Sequence, residues 1–151
     1  MAPGEGLTVV LVDTTVWIDF FAGYDTAEVA VLVDLLARGE DICACGVIWT
    51  EVLQGIRRDS DYRRTRSHFE SLLFLNMGQS TFVRAADVYR SLRHRGITVR
   101  KPVDCMIAAV ALEHDVPLLH HDRDFDPIAA HCGLRVVNAD GEPGDSEPTE
   151  A

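Results

Sequence analysis

Acidic residues stand at several points in apolar stretches of this sequence, where charged side chains are rare. They are Asp13, Glu51, Asp104, Asp122 and Asp124. Burying a carboxylate among apolar side chains is costly unless a cation pairs with it. The only basic residues beside the first three acids are Arg100 and Lys101. A divalent cation would compensate all of these carboxylates at once, because hard cations bind carboxylate oxygens.

The chemistry expected of such a cluster is metal-assisted hydrolysis. A bound divalent cation lowers the pKa of a water molecule and stabilises negative charge on a phosphodiester. Carboxylates and water favour Mg²⁺ or Mn²⁺ over zinc. The cysteines do not form a zinc-binding pattern, and we expect all of them to be reduced structural residues: Cys43, Cys45, Cys105 and Cys132.

The acids that follow predicted strands also have an ordinary structural explanation. Asp13 comes directly after the apolar run 8–12, at the carboxyl end of a strand, where α/β proteins bind ligands. Asp13 could instead cap the next helix, although Thr14 and Thr15 are also available as caps of that helix. Asp122 and Asp124 follow another short apolar run and could be turn or cap residues.

The acids on predicted helices are equally open to two interpretations. Glu51 has apolar neighbours nearly all round, but it could lie on a narrow, partly exposed polar stripe. Asp104 follows Pro102 in a first helical turn, where the helix dipole favours an aspartate. Acids clustered without countercharges would raise one another's pKa, and a divalent metal removes that penalty. Their combination therefore favours one metal site.

The elements that must position these acids alternate between strand and helix, which predicts an α/β fold with a mostly parallel sheet. Strands are predicted at 8–12, 41–45, 74–77, 117–119 and 134–137. Helices are predicted at 15–21, from the cap Thr26 to Arg38, at 47–56, at 62–73, from a cap at Ser80 or Thr81 to Arg95, at 103–114 and at 127–131.

The chain of 151 residues, 47% of them apolar, suits a single domain, for which we expect bounds of 8–139. Residues 1–7 are expected to form a flexible extension, and the acidic residues 140–151 a disordered tail. No apolar run approaches the ~20 residues that span a bilayer, and residues 1–7 do not resemble a signal peptide. We therefore expect a cytoplasmic protein without a membrane partner.

The net charge of −10 is the main compositional argument against a nucleic-acid substrate. Five of the 24 acids lie in the tail, and the other 19 still outnumber the 14 basic residues. The argument weakens if several acids bind metal ions, because bound cations reverse the local charge.

Four segments in order resemble the motifs of PIN-domain proteins. They are VDTTVWIDFF at 12–21, WTEVLQG at 49–55, PVDCMIAA at 102–109 and HHDRDF at 120–125. Their order and spacing, over about residues 8–138, are similar to those of the VapC toxins of type II toxin–antitoxin systems.

This resemblance implies a three-layer α/β/α sandwich and a Mg²⁺-dependent endoribonuclease that cleaves RNA with a metal-activated water. It implies catalytic acids at Asp13, Glu51, Asp104 and Asp122, which also bind the metal together with Asp124. Thr15 could orient a carboxylate or a metal-bound water from behind. A homodimer and a cognate VapB-type antitoxin are also implied. The alternative is a non-catalytic PIN-like binding module that retains the acids for folding or docking.

Overall fold

A parallel β-sheet forms the centre of the computed structural model, which describes residues 9–138. Its strands β1 (Val9–Val12), β2 (Asp41–Cys45), β3 (Leu73–Leu75) and β4 (Leu118–Leu119) lie in the order β3-β2-β1-β4. Every pairing between these described strands is parallel. The predicted sheet is confirmed, except that the expected strand at 134–137 is reduced to an isolated bridge between Val136 and Leu118.

Helices flank the sheet and complete the predicted α/β/α fold. They are α1 (Thr14–Ala22), α2 (Ala27–Ala37), α3 (Gly46–Gln54), α4 (Asp59–Glu70), α5 (Gln79–His94), α6 (Pro102–Glu113) and α7 (Asp126–Cys132), with a 3₁₀ turn at Arg123–Phe125. Parallel strands need such crossovers, and the helices cover the sheet on both faces. Val10, Leu11 and Val12 are consequently fully buried.

An aromatic cluster packs α1 against α4. Trp17 is fully buried, and its ring centroid lies 5.2 Å from that of Phe69. Trp49 of α3 also stacks on Phe69, with ring centroids 6.0 Å apart, and is half-buried. Both tryptophans therefore contribute to the packing that fixes α1 and α3, the two helices that carry the first two motifs.

The helix caps agree with the sequence prediction at α2, decide between the open alternatives at α1 and differ from the prediction at α5. Thr26 caps α2, since its Oγ1 accepts a hydrogen bond of 3.0 Å from Val29 N. Asp13, and not Thr14 or Thr15, caps α1, because Asp13 retains an extended backbone while the threonines are already helical. Gly78 precedes α5, and Thr81 closes that end by accepting a 3.1 Å hydrogen bond from Gly78 N.

Several element boundaries also differ from those predicted. Helix α4 starts three residues earlier than expected, because Asp59 and Asp61 fit the first turn of a helix, where its dipole favours acids. It ends at Glu70, three residues before the predicted end, and β3 covers Leu73–Leu75 instead of the predicted 74–77. Helix α3 ends at Gln54, two residues before the predicted end.

The predicted extension at 1–7 and the predicted tail at 140–151 lie outside the described residues. Within 9–138, no helix combines the length and the apolar character needed to cross a bilayer.

Candidate metal centre

The centre lies where the order of the strands changes direction. From β1 the chain continues to β2 and β3 on one side, whereas β4 pairs with the other side of β1. Asp13 follows the last residue of β1, and its backbone N donates a 2.9 Å hydrogen bond to Leu119 O at the end of β4. Open α/β sheets bind ligands in the crevice at such a switch point. The residues that follow β1 and those that follow β4 therefore lie at the same crevice.

Three carboxylates from two segments meet in this crevice. One oxygen from each of Asp104, Asp122 and Asp124 lies within 4.8 Å of the other two. Asp104 stands in the first turn of α6 and is only 4% exposed. Asp122 caps the following 3₁₀ turn by accepting a 2.9 Å hydrogen bond from Asp124 N at its Oδ1. This turn holds Asp122 and Asp124 beside each other.

Two oxygens of this group are well suited to a cation. Within residues 9–138, Asp104 Oδ2 and Asp124 Oδ2 are buried and have no hydrogen-bond partner. A buried acceptor without a donor is costly and rare in folded proteins. Both oxygens lie 3.9 Å from the same atom, Lys101 Nζ. Neighbouring carboxylate oxygens that lack donors fit a hard divalent cation such as Mg²⁺ or Mn²⁺.

Two basic side chains approach the same acids. Lys101 Nζ donates a 2.6 Å hydrogen bond to Asp122 Oδ2, and Arg100 Nη2 donates one of 2.8 Å to Asp124 Oδ1. The sequence identified these residues as the only nearby bases but did not assign them partners. Since the Arg100 side chain is 79% exposed, its ion pair is screened by water and contributes little to stability.

The crevice shifts the ionisation of its acids in opposite directions. Burial raises the pKa of Asp104 to about 7; Lys101 lowers it, and the neighbouring Asp122, Asp13 and Asp124 raise it. Burial also raises the pKa of Asp122, but the hydrogen bonds from Lys101 and from Asp124 N, together with the nearby charge of Lys101, outweigh burial and leave that pKa below its ordinary value. The hydrogen bond to Asp122 in turn raises the pKa of Lys101.

Asp13 borders the group of three and is held by Thr15. Its Oδ2 accepts hydrogen bonds from Thr15 Oγ1 at 2.6 Å and from Thr15 N at 3.1 Å. Burial raises the pKa of Asp13, and the contacts with Thr15 lower it. The charge of Asp13 also acts on Asp104. The two carboxylates are therefore electrostatically coupled, although Asp13 does not belong to the closest group.

Glu51, like Asp13, is a predicted site residue outside the group of three acids. It is half-buried on α3, and its Oε1 accepts a 2.8 Å hydrogen bond from Thr14 Oγ1. A groove lined by Glu51 also includes Val103, the residue before Asp104. Glu51 thus faces a surface that continues to the start of α6, but it is not among the three closest acids.

Thr14 and Lys101 contact the predicted acids, yet the sequence assigned neither of them to the site. A signal for Lys101 was available, because it is the only lysine in the chain. No comparable signal marked Thr14, since its partner is 37 residues away.

The model of the PIN domain family matches residues 10–130. This chain belongs to the PIN-domain family. Over 132 residues it is 34% identical to proteins named VapC ribonuclease Mb1587, from Mycobacterium bovis, and Ribonuclease VapC11, from Mycobacterium tuberculosis. Those matches cover 86% of this chain and 98% of each relative. The resemblance of its motifs to PIN-domain proteins of the VapC type is therefore confirmed.

Solved structures show the same PIN fold. VapBC-1 from nontypeable Haemophilus influenzae aligns with a TM-score of 0.69 at 14% identity, over 87% of this chain and 98% of that one. A toxin–antitoxin complex from Klebsiella pneumoniae aligns with a TM-score of 0.62 at 24% identity, over 77% and 89% of the two chains.

Proposed function

We propose that this protein is a divalent-cation-dependent endoribonuclease that acts as the toxin of a VapBC pair. The observation that carries the proposal is a pair of buried oxygens, Asp104 Oδ2 and Asp124 Oδ2, which have no hydrogen-bond partner among residues 9–138 and lie 3.9 Å from the same atom, Lys101 Nζ. The relatives that match most of this chain at 34% identity are named ribonucleases, which supports RNA as the substrate.

We assign different roles in hydrolysis to different side chains of the site. Asp104, Asp122 and Asp124 would hold Mg²⁺ or Mn²⁺, with Asp13 beside them. A divalent cation, when bound, activates water and stabilises charge on a phosphodiester. Thr15 orients the Asp13 carboxylate through two hydrogen bonds.

We assign Glu51 the role of a general base. Its Oε1 accepts a hydrogen bond from Thr14 Oγ1, so we assign its Oε2 the role of taking the proton from the attacking water. Glu51 is not among the three closest acids, so we propose it as a peripheral contributor to the metal site.

An RNA cleavage assay with Mg²⁺ or Mn²⁺, repeated with EDTA, tests the activity. Asp13→Asn and Asp104→Asn should lower the rate by more than ~100-fold, because even residues behind the metal ligands typically contribute 10–100-fold. Asp34→Asn is the matched control, since Asp34 pairs with Arg38 on the exposed surface of α2. Unchanged cleavage by both site variants would indicate a contaminating nuclease and would refute the assignment.

The partner in the cell is proposed to be a VapB-type antitoxin that places a basic side chain in the acidic crevice. Support comes from the structural neighbours, which include VapBC and other toxin–antitoxin complexes. Expression of the toxin should arrest bacterial growth, and co-expression of the small protein encoded beside it should restore growth. If Asp104→Asn arrested growth as strongly as the wild type, the arrest would not result from catalysis.

A homodimer is proposed from apolar side chains near the site. Phe74 and Phe82 are 49% and 47% exposed, and both line the groove that contains Glu51. Exposed aromatic side chains in a group are typical of protein interfaces. Sedimentation of the purified protein should give twice the chain mass of 16.7 kDa, and Phe82→Arg should reduce it to the single mass.

The second candidate function, a non-catalytic PIN-like module, is favoured by the ion pairs of Lys101 with Asp122 and of Arg100 with Asp124. These pairs compensate two of the acids without a metal ion. The cleavage assay separates the candidates, because a binding module would show no metal-dependent activity that Asp104→Asn removes.

A further inference from the structure

The only lysine of this chain lies at its carboxylate cluster. The other 13 basic residues are all arginines. Lys101 provides the extended backbone residue before α6, and its carbonyl accepts a 3.0 Å hydrogen bond from Asp104 N. Its ammonium group lies 2.6 Å from Asp122 Oδ2 and 3.9 Å from both Asp104 Oδ2 and Asp124 Oδ2. A compact cation with rotatable donors therefore faces three acids.

We propose that Lys101 is a tethered cation which neutralises the carboxylate cluster in the metal-free protein and which a divalent metal ion must displace. This inference rests on the proposed metal site. It adds that the protein carries its own competitor for that site, so that metal binding and release of Lys101 are one coupled event.

The ammonium of Lys101 and a divalent metal ion would compete for the same carboxylates. Mg²⁺ binds carboxylate oxygens at about 2.0–2.1 Å. The ammonium lies within 4 Å of the oxygens of all three acids, including the two that have no hydrogen bond among residues 9–138. A metal ion bound to these oxygens would share the crevice with Nζ, where two positive charges that are partly buried repel each other and are weakly screened.

Exposure indicates which group moves. The side chain of Lys101 is 50% exposed, whereas those of Asp104 and Asp122 are 6% and 15% exposed. The acids are fixed by α6 and by the 3₁₀ turn, while the flexible lysine stem can turn its ammonium into water. Metal binding would therefore leave the carboxylates in place and release Lys101.

The competition has two consequences for the protein. Without a metal ion, Lys101 reduces the repulsion among three adjacent acids and so stabilises the folded chain. In the presence of a metal ion, the same contact lowers the apparent affinity, because only molecules with a released lysine are competent to bind.

The single lysine allows a direct measurement in the wild-type protein. Selective ¹³Cε-lysine labelling gives one assigned NMR signal without any mutation. Titration with MgCl₂ should shift this signal towards the position of a solvated lysine, with the same midpoint as metal binding measured by calorimetry. NaCl at matched ionic strength should not reproduce the shift. Titration of the Asp104→Asn variant with MgCl₂ should also leave the lysine signal unchanged. A lysine signal that stays constant while the metal binds would overturn the proposal.

A charge-removing variant measures the size of the competition. Lys101→Met keeps a long, flexible side chain without the ammonium and should bind Mg²⁺ about tenfold more tightly, within the usual range of coupling between two ligands. Arg38→Met is the control, because it also removes one positive charge. Arg38 forms an exposed ion pair with Asp34 on α2 and does not contact the three acids of the site. Should Lys101→Met prove unstable without metal, the NMR titration of the wild type still decides the question.

The outcomes separate this inference from the function on which it rests. Metal binding of equal strength by the wild type and Lys101→Met would refute the competition and leave the metal site intact. Absence of metal binding to the wild type and to Lys101→Met would refute the metal site itself. Binding to Lys101→Met with little or none to the wild type would support the strongest form of the competition.

Discussion

Thr14 and Glu51 are joined by a hydrogen bond of 2.8 Å from Thr14 Oγ1 to Glu51 Oε1. This contact connects the first residue of α1 to the middle of α3 across 37 positions of sequence. Thr14 is only 7% exposed, so its hydroxyl is not free to exchange this partner for bulk water. The bond therefore fixes the acid of the second motif relative to the segment that carries Asp13.

Replacing Thr14 with Val should lower the rate of RNA cleavage about tenfold, the lower end of the effect expected from residues that orient catalytic groups. It should also destabilise the fold by about 1 kcal/mol, the usual net contribution of one hydrogen bond. Urea unfolding and steady-state kinetics would measure the two effects, with the loss of activity in kcat.

Thr14→Ser retains the hydroxyl and should restore most of the activity. Thr50→Val serves as the control, because Thr50 Oγ1 bonds only to Gly46 O of its own helix in the described structure and is exposed. Equal effects of Thr14→Val and Thr50→Val on kcat would contradict a positioning role for Thr14.

The hydroxyl of Thr15 connects both sides of the crevice, which leads to a stability prediction. It donates to Asp13 Oδ2 at 2.6 Å and accepts from His121 N at 3.2 Å. Thr15→Val removes both bonds, one of them to a buried carboxylate, and should destabilise the metal-free protein by about 2 kcal/mol. Thr15→Ser should recover most of this in urea unfolding. A loss no larger than that of Thr50→Val would show that the hydroxyl is dispensable.

The strands were predictable because buried parallel strands are short, apolar and rich in β-branched residues. The meeting of Asp104, Asp122 and Asp124 was predictable in outline, since strand ends and helix starts gather at one edge of such a sheet. The ordinary structural roles proved to coexist with this grouping. Asp13 and Asp122 do cap the turns that follow them.

Side-chain partners were not predictable, for two physical reasons. The contacts of Thr14 with Glu51 and of Lys101 with Asp122 join positions 37 and 21 residues apart. Sequence patterns report local periodicity and carry no information on such pairs. The capping residue of α1 depended on backbone torsions, because Asp13, Thr14 and Thr15 are all good capping residues.

Asp124 and its neighbour Asp126 provide a matched pair for the metal site. Asp124 contributes an oxygen to the group of three acids, whereas Asp126 is exposed at the start of α7. Asp124→Asn should weaken Mg²⁺ binding by roughly tenfold or more, since one charged oxygen of the group becomes neutral. Asp126→Asn should bind Mg²⁺ like the wild type. Calorimetry would compare them, and equal weakening would indicate a general charge effect instead of a ligand.

The cysteines lead to a last prediction, on chemical reactivity. Burial, together with the neighbouring Cys45, raises the pKa of Cys43 to about 12, and burial raises that of Cys105 to about 11. Because the thiolate is the reactive form, a raised pKa leaves almost none of it at pH 8. Iodoacetamide should therefore leave both thiols unmodified in the folded protein, and the half-buried Cys132 should react first. In urea all four cysteines should be alkylated, as counted by mass spectrometry. Rapid modification of Cys43 under native conditions would show that β2 opens to solvent, which its position inside the sheet contradicts.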